Sequence, residues 1–144
     1  MTGADSLGEG VKMAKILIID DDPDIVLAAR LCLQKAGHEV FDADNGDTGL
    51  RQMETVRPDL IILDVMMGTA TEGFQTALKL RSPDPTSPLL GYRHVPILML
   101  TAIHSTTDLR FAPDQDYLPV DAFMDKPIDP DDLAKKVNEL LTKK

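Results

Sequence analysis

Four apolar runs in this chain each stop at a polar residue able to serve phosphoryl chemistry. Ile16–Ile19 runs into Asp20, Asp21 and Asp22, and Leu60–Leu63 runs into Asp64. Ile97–Leu100 runs into Thr101, and Ala122–Met124 leads through Asp125 into Lys126 and Pro127. If the runs are neighbouring parallel strands, all four ends meet at one edge of one sheet, where open α/β sheets bind ligands. Asp20, Asp21 and Asp64 brought within a few ångströms repel one another unless a cation sits among them. Mg²⁺ suits such a site, because it takes oxygen ligands, keeps waters and bridges to a phosphoryl oxygen. One carboxylate can then act as nucleophile and form an acyl phosphate. Lys126 would pair with the new phosphoryl charge, and the Thr101 hydroxyl would donate to another of its oxygens. Each residue alone is ordinary: Asp22 ahead of Pro23 reads as a helix cap, and a lone threonine or lysine says little. The order of the whole set is what points to chemistry.

The elements that must position these residues follow from periodicity. Lys15–Asp20 is an unalternating Ile/Leu run, which suits a strand covered on both faces. Asp22 as N-cap and Pro23 at the first helical position open a helix with Ile25, Ala29, Cys32 and Ala36 on one face and Gly37 as its stop. Glu39–Asp42 gives a second strand. Asn45 or Asp44 then caps a helix that turns Leu50, Met53 and Val56 inward. Pro58–Asp59 breaks it ahead of the strand Leu60–Asp64. A loop over Met66–Thr71 precedes a helix through Phe74, Ala77, Leu78 and Leu80. Ser82–His94 holds three prolines and a glycine and reads as an extended surface loop. Pro96–Thr101 is the fourth strand, Ser105–Phe111 a short helix ended by Pro113, and Val120–Met124 a short fifth strand. Asp129 caps the last helix, which carries Leu133, Val137, Leu140 and Leu141 inward. Strands alternating with helices imply right-handed parallel crossovers and an α/β fold.

With these stretches in view, the chain resembles the receiver domain of two-component response regulators. The matching segments are Ile16-Leu-Ile-Ile-Asp-Asp-Asp-Pro-Asp24, Pro58-Asp-Leu-Ile-Ile-Leu-Asp-Val-Met-Met67, Pro96-Ile-Leu-Met-Leu-Thr-Ala102 and Asp125-Lys-Pro-Ile128. The resemblance runs from about Lys15 to Leu141. It implies a doubly wound, five-stranded parallel sheet in the flavodoxin-like order 2-1-3-4-5, with helices on both faces. It also implies that Asp64 accepts the phosphoryl group and that Asp20 and Asp21 bind Mg²⁺ with Asp64. The backbone carbonyl of Met66 would complete the metal site. Thr101 matches the switch hydroxyl, Lys126 the family's lysine, and Phe123 the aromatic switch position, although a plain core or half-buried Phe fits nearly as well. The Lys126–Pro127 bond is cis in most receivers. The implied donor is a phosphohistidine on a sensor histidine kinase or phosphotransfer protein, and the output passes by protein contact to a downstream target. Self-phosphotransfer and autodephosphorylation are the only reactions such a domain performs.

Three departures qualify the match. Gly68 stands where receivers commonly carry proline, Ser82–His94 is longer than usual, and so is Ala102–Pro119. Met66 and Ile103, two past Asp64 and Thr101, flank the phosphoryl group in receiver geometry. Both are apolar, so neither orients an attacking water, and slow loss of phosphate is expected.

Composition agrees with this reading. The chain has 144 residues, enough for one domain with a real core. With 24 acidic residues against 15 basic and a net charge of −9, it has no basic stripe for nucleic acid. No apolar run approaches the length of a membrane span. Residues 1–13 are expected to be a disordered extension, with Met13 an alternative start, and residues 14–144 the receiver. Lone Cys32 fits a reducing, cytoplasmic setting. His38, His94 and His104 read as surface residues.

Two other classes compete. A hydrolase of the haloacid dehalogenase type would use Asp20-Asp-Asp22, but Pro23–Asp24 follows where Thr or Val is usual, and Asp131–Asp132 reads as helix capping. A phosphorylation-independent adaptor would bind its partner equally well after Asp64→Asn. Dinucleotide binding is disfavoured by three acids and no glycine at the first turn.

Overall fold

A computed structural model describes residues 13–65, 72–101 and 120–142. The leader 1–12, the Met66–Thr71 loop with Gly68, and the Ser105–Phe111 helix with Ile103 and His104 lie outside the described residues. Five strands form one parallel sheet: β1 (Lys15–Ile19), β2 (Glu39–Ala43), β3 (Leu60–Asp64), β4 (Ile97–Thr101) and β5 (Ala122–Asp125). Their order is β2-β1-β3-β4-β5, as expected from the sequence. β5 begins two residues later than the apolar run suggested and extends through Asp125.

Alternation along each strand divides the core in two. Ile16, Ile18, Leu60, Ile62, Leu98 and Leu100 meet α1 (Pro23–Lys35) and α5 (Pro130–Thr142) through Ala29, Leu33, Leu133, Val137 and Leu140. Leu17, Ile19, Ile61, Leu63, Ile97 and Met99 face the other way, where Met53, Ala77 and Leu80 cover them. That second layer comes from α2 (Gly46–Arg51), α3 (Met53–Val56) and α4 (Glu72–Arg81). Both sheet faces are covered, which is why β1, β3 and β4 are continuous apolar runs.

The ends of α1 are set by local chemistry. Asp22 is extended (φ −96°, ψ 109°) and its Oδ1 accepts the Asp24 N–H at 2.9 Å, with Pro23 first in the helix. At the far end Gly37 takes φ +100°, and the N–H groups of Gly37 and His38 bond the carbonyls of Gln34 and Leu33. This is a Schellman stop, available because glycine tolerates the left-handed conformation.

The structure corrects several details of the sequence reading. Leu33, not named there, is the fully buried anchor of α1, while Cys32 and Ala36 are only half-buried. The expected single helix from a cap at Asn45 or Asp44 through Val56 is two segments with a break at Gln52, whose N–H is shared between the carbonyls of Thr48 and Gly49. Its cap is Asn45, whose Oδ1 accepts the Thr48 N–H at 2.8 Å. Arg57 ends α3 at φ +53° just ahead of Pro58. Of the residues the helix α4 runs through, Ala77 and Leu80 form its buried stripe and Leu78 is 56% exposed. The Ser82–His94 loop contains a 3-10 turn at Leu90–Tyr92, and Leu89 and Tyr92 pack onto the core. His38 is buried, not on the surface: its Nδ1 accepts the Ala14 N–H at 3.1 Å, the backbone donor just ahead of β1.

Candidate functional site

The parallel register carries the four strand ends to one edge of the sheet. Ile19 pairs with Leu63, Asp64 with Leu100 and Thr101 with Asp125, so Asp20, Asp64, Thr101 and Lys126 emerge side by side. Asp20, Asp64 and Thr101 are 2%, 3% and 3% exposed, whereas Asp21 faces solvent. One carboxylate oxygen from each of Asp20, Asp21 and Asp64 lies within 4.8 Å of the others. Lys126 reaches over from β5, its Nζ 3.1 Å from Asp64 Oδ1 and 3.3 Å from Asp20 Oδ2. The Lys126 N–H donates to the Thr101 carbonyl at 2.8 Å, which fixes the turn out of β5, and the Lys126–Pro127 peptide is cis.

The electrostatics are unbalanced. Among the described residues, three carboxylates, two of them buried, cluster beside one ammonium. Burial pushes the Asp20 carboxyl above its ordinary value, against the Asp22 N–H and the Lys126 charge, which both lower it. For Lys126 burial acts downward, but the Asp20 and Asp64 charges outweigh it, so the ammonium holds its proton more tightly than usual. The two partners thus shift in the same direction, because attraction to Lys126 does not offset the desolvation of Asp20.

Asp20 shows what is missing from its balance. Its Oδ1 accepts the Asp22 N–H at 2.9 Å. Its Oδ2 is buried and has ion-pair proximity to Lys126 but no aligned hydrogen bond. A buried, under-coordinated carboxylate oxygen beside two more carboxylates fits a hard divalent cation with oxygen ligands. Asp22 turns away to cap α1, so it is no member of the cluster.

Phe123 is half-buried and packs against the face of the sheet that carries Met99, with which it is in register. Met66 lies outside the described residues, so its expected carbonyl ligand has no structural counterpart here.

One residue beside the cluster is more constrained than sequence reasoning anticipated. A Cβ on Gly73 would fall 1.9 Å from the Asp64 carbonyl oxygen and 2.8 Å from Val65 Cα. The Gly73 N–H donates to the Val65 carbonyl at 3.0 Å. The start of α4 therefore rests directly on the backbone of Asp64. The available signal was a glycine inside an otherwise helical pattern, which marks close backbone approach.

Comparison with known proteins agrees with this architecture. The profile of the response regulator receiver domain family matches residues 16–138. Protein PilH of Pseudomonas aeruginosa is 32% identical over 132 residues, covering 90% of this chain and 98% of PilH. The alkaline phosphatase synthesis transcriptional regulatory protein PhoP of Bacillus subtilis is 33% identical over 127 residues, covering 88% of this chain and 48% of PhoP. Among solved structures, chemotaxis protein CheY4 of Vibrio cholerae superposes with a TM-score of 0.71 at 30% identity, covering 90% of this chain and 99% of that one. A response regulator from Chloroflexus aurantiacus gives 0.70 at 28% identity, covering 92% of this chain and all of its own.

Proposed function

The chain belongs to the response regulator receiver domain family, and from that premise we propose that Asp64 is its phosphoryl acceptor. The observation that carries the proposal is the placement of Lys126 Nζ between two buried carboxylates, Asp20 and Asp64, from different strands. A purely structural ion pair needs one carboxylate; here a second is desolvated at the same ammonium, and a third stands beside it.

In the proposed reaction an Asp64 carboxylate oxygen attacks the phosphorus of a phosphohistidine on a sensor kinase or phosphotransfer protein. The P–N bond breaks, its electron pair returns to the imidazole with uptake of a proton, and an acyl phosphate forms on Asp64. Asp20, Asp21, Asp64 and the Met66 carbonyl would hold Mg²⁺, which would supply positive charge against the transferring oxygens. Lys126 keeps its proton throughout and moves from neutralising Asp64 to neutralising the phosphoryl group. Thr101, at the end of β4, donates its hydroxyl to a phosphoryl oxygen, and Phe123 on the neighbouring strand follows as the surface around β5 changes. The signal leaves through protein contact with a downstream target.

Met66 and Ile103 are apolar, so neither orients an attacking water, and the phosphorylated form is long-lived. Among the described residues no helix is long and apolar enough to cross a membrane. The acidic net charge and lone Cys32 support a cytoplasmic protein that does not contact nucleic acid.

Intact-mass spectrometry after incubation with acetyl phosphate tests the proposal. A phosphoryl adduct that requires Mg²⁺ and disappears in Asp64→Asn is expected. An adduct persisting unchanged in Asp64→Asn, or no adduct with any donor, refutes it; the second result favours a phosphorylation-independent adaptor.

A further inference from the structure

Lys126 can lie between Asp20 and Asp64 only if β5 holds its register, and β5 is poorly equipped to do so alone. It has four residues and, among the described residues, stands last in the sheet and pairs with β4 alone. A slip of one pairing step of two residues moves Lys126 by about 6.6 Å, far outside contact with either carboxylate. The start of the strand carries an anchor that the reaction does not explain. Asp121 Oδ2 accepts the Ile97 N–H at 2.8 Å and the Arg81 Nη2 donor at 2.7 Å, while the Asp121 N–H donates to the Ile97 carbonyl at 2.9 Å.

Arg81 is itself tied down. It closes α4, and its Nη1 donates to the carbonyls of Arg93 and Val95 at 2.7 and 2.6 Å. Its side chain is 19% exposed. One guanidinium thus joins the end of α4, the segment entering β4 and the start of β5. The other end of α4 rests on the Asp64 backbone at Gly73. The helix is ten residues, about 15 Å long, and spans the sheet from acceptor edge to opposite edge. A closed circuit results: Asp64, Gly73, α4, Arg81, Asp121, β5 and Lys126, whose Nζ returns to Asp64.

We propose that Arg81 is a positioning residue for phosphoryl transfer, acting through Asp121 and β5 on the placement of Lys126. The inference rests on the reading of Asp64 as acceptor and Lys126 as its cationic partner. Arginine suits the position because its planar fork reaches two carbonyls and a carboxylate at once, which a lysine ammonium does not match.

A double-mutant cycle separates positioning from simple stabilisation. The initial rate of phosphoryl adduct formation from acetyl phosphate and Mg²⁺ is measured by intact mass on the full chain. The set is wild type, Arg81→Gln, Asp121→Asn, Lys126→Ala and the double variants Arg81→Gln/Lys126→Ala and Asp121→Asn/Lys126→Ala, all below their unfolding transitions. Arg81→Gln and Asp121→Asn should each slow the reaction about tenfold or more, as misplacement of a catalytic group by an ångström does. In the Lys126→Ala background Arg81→Gln should change the rate by less than about twofold, because there is no ammonium left to misplace. Equal slowing in both backgrounds, or none in either, overturns the inference while leaving Asp64 as acceptor. If Arg81→Gln does not fold, Asp121→Asn in the two backgrounds decides, since its amide oxygen can still accept the Ile97 N–H. Absence of an adduct in wild type overturns the functional reading, and this inference with it.

Discussion

Gly73→Ala is the substitution whose outcome the geometry fixes most sharply. Judged by helix propensity alone it should help, since alanine in a helix interior is favoured over glycine by about 1 kcal/mol. The contact distances point the other way. The new Cβ would stand 1.9 Å from the Asp64 carbonyl oxygen and 2.8 Å from Val65 Cα and the Val65 carbonyl oxygen. All three obstacles are backbone atoms of β3 and its exit, so no side chain can swing aside. The start of α4 must lift by more than an ångström, and the Gly73 N–H bond to the Val65 carbonyl, 3.0 Å long, goes with it. Overpacking of this kind costs about 1–3 kcal/mol, and the lost hydrogen bond adds about 1 kcal/mol. Set against the propensity gain, a net loss of about 1–3 kcal/mol remains, or several degrees in Tm for a domain of this size. Urea unfolding followed by circular dichroism measures it, with Gly91→Ala as control because nothing lies within 4 Å of a Cβ there. The same displacement moves Asp64 relative to Lys126, so adduct formation should slow as well. Gly73→Ala as stable as wild type, with unchanged phosphorylation, would falsify the claim that α4 rests on the Asp64 backbone.

Further predictions follow from the other pairings. Burial holds the His38 imidazole below its ordinary value of 6.5, so the folded chain binds fewer protons there than the unfolded chain. That contribution to stability is complete above pH 6.5 and is lost as pH falls toward the folded value; His38→Asn, which keeps an acceptor for Ala14, should flatten this part of a urea-midpoint profile. Lys126→Ala removes the cation that competes for Asp20 and Asp64 and leaves their charges uncompensated, so calorimetry should find tighter Mg²⁺ binding together with slower phosphoryl transfer; weaker binding contradicts the electrostatic reading. Leu33→Ala should destabilise by about 2–5 kcal/mol, whereas exposed Leu78→Gln should stay within about 0.5 kcal/mol of wild type, both read from thermal unfolding.

The strands and the site were legible in the sequence because both depend on short-range rules. An Ile/Leu run covered on two faces reads the same wherever it occurs, and parallel register carries strand ends to a common edge without further specification. Asp20, Asp64, Thr101 and Lys126 could therefore be brought together from their positions in the chain. Residues that depend on longer-range packing could not. His38 follows a helix stop, a position usually solvated, and only the need of the Ala14 N–H for a partner draws it inside. The break at Gln52 and the outward turn of Leu78 depend on how helices seat against the sheet, which a 3.6-residue period leaves open by a position. Arg81 and Asp121 lie 40 residues apart, and neither carries a local signal that it will find the other.

The central claim is that Asp64, and no neighbouring acid, carries the phosphoryl group. Borohydride reduces an acyl phosphate on aspartate to homoserine, so reduction of the phosphorylated chain followed by peptide mapping marks the acceptor covalently. Homoserine at position 64, dependent on phosphodonor and Mg²⁺, is the expected result. Homoserine at Asp20 or Asp21, or none in a chain that carries the adduct mass, would contradict it.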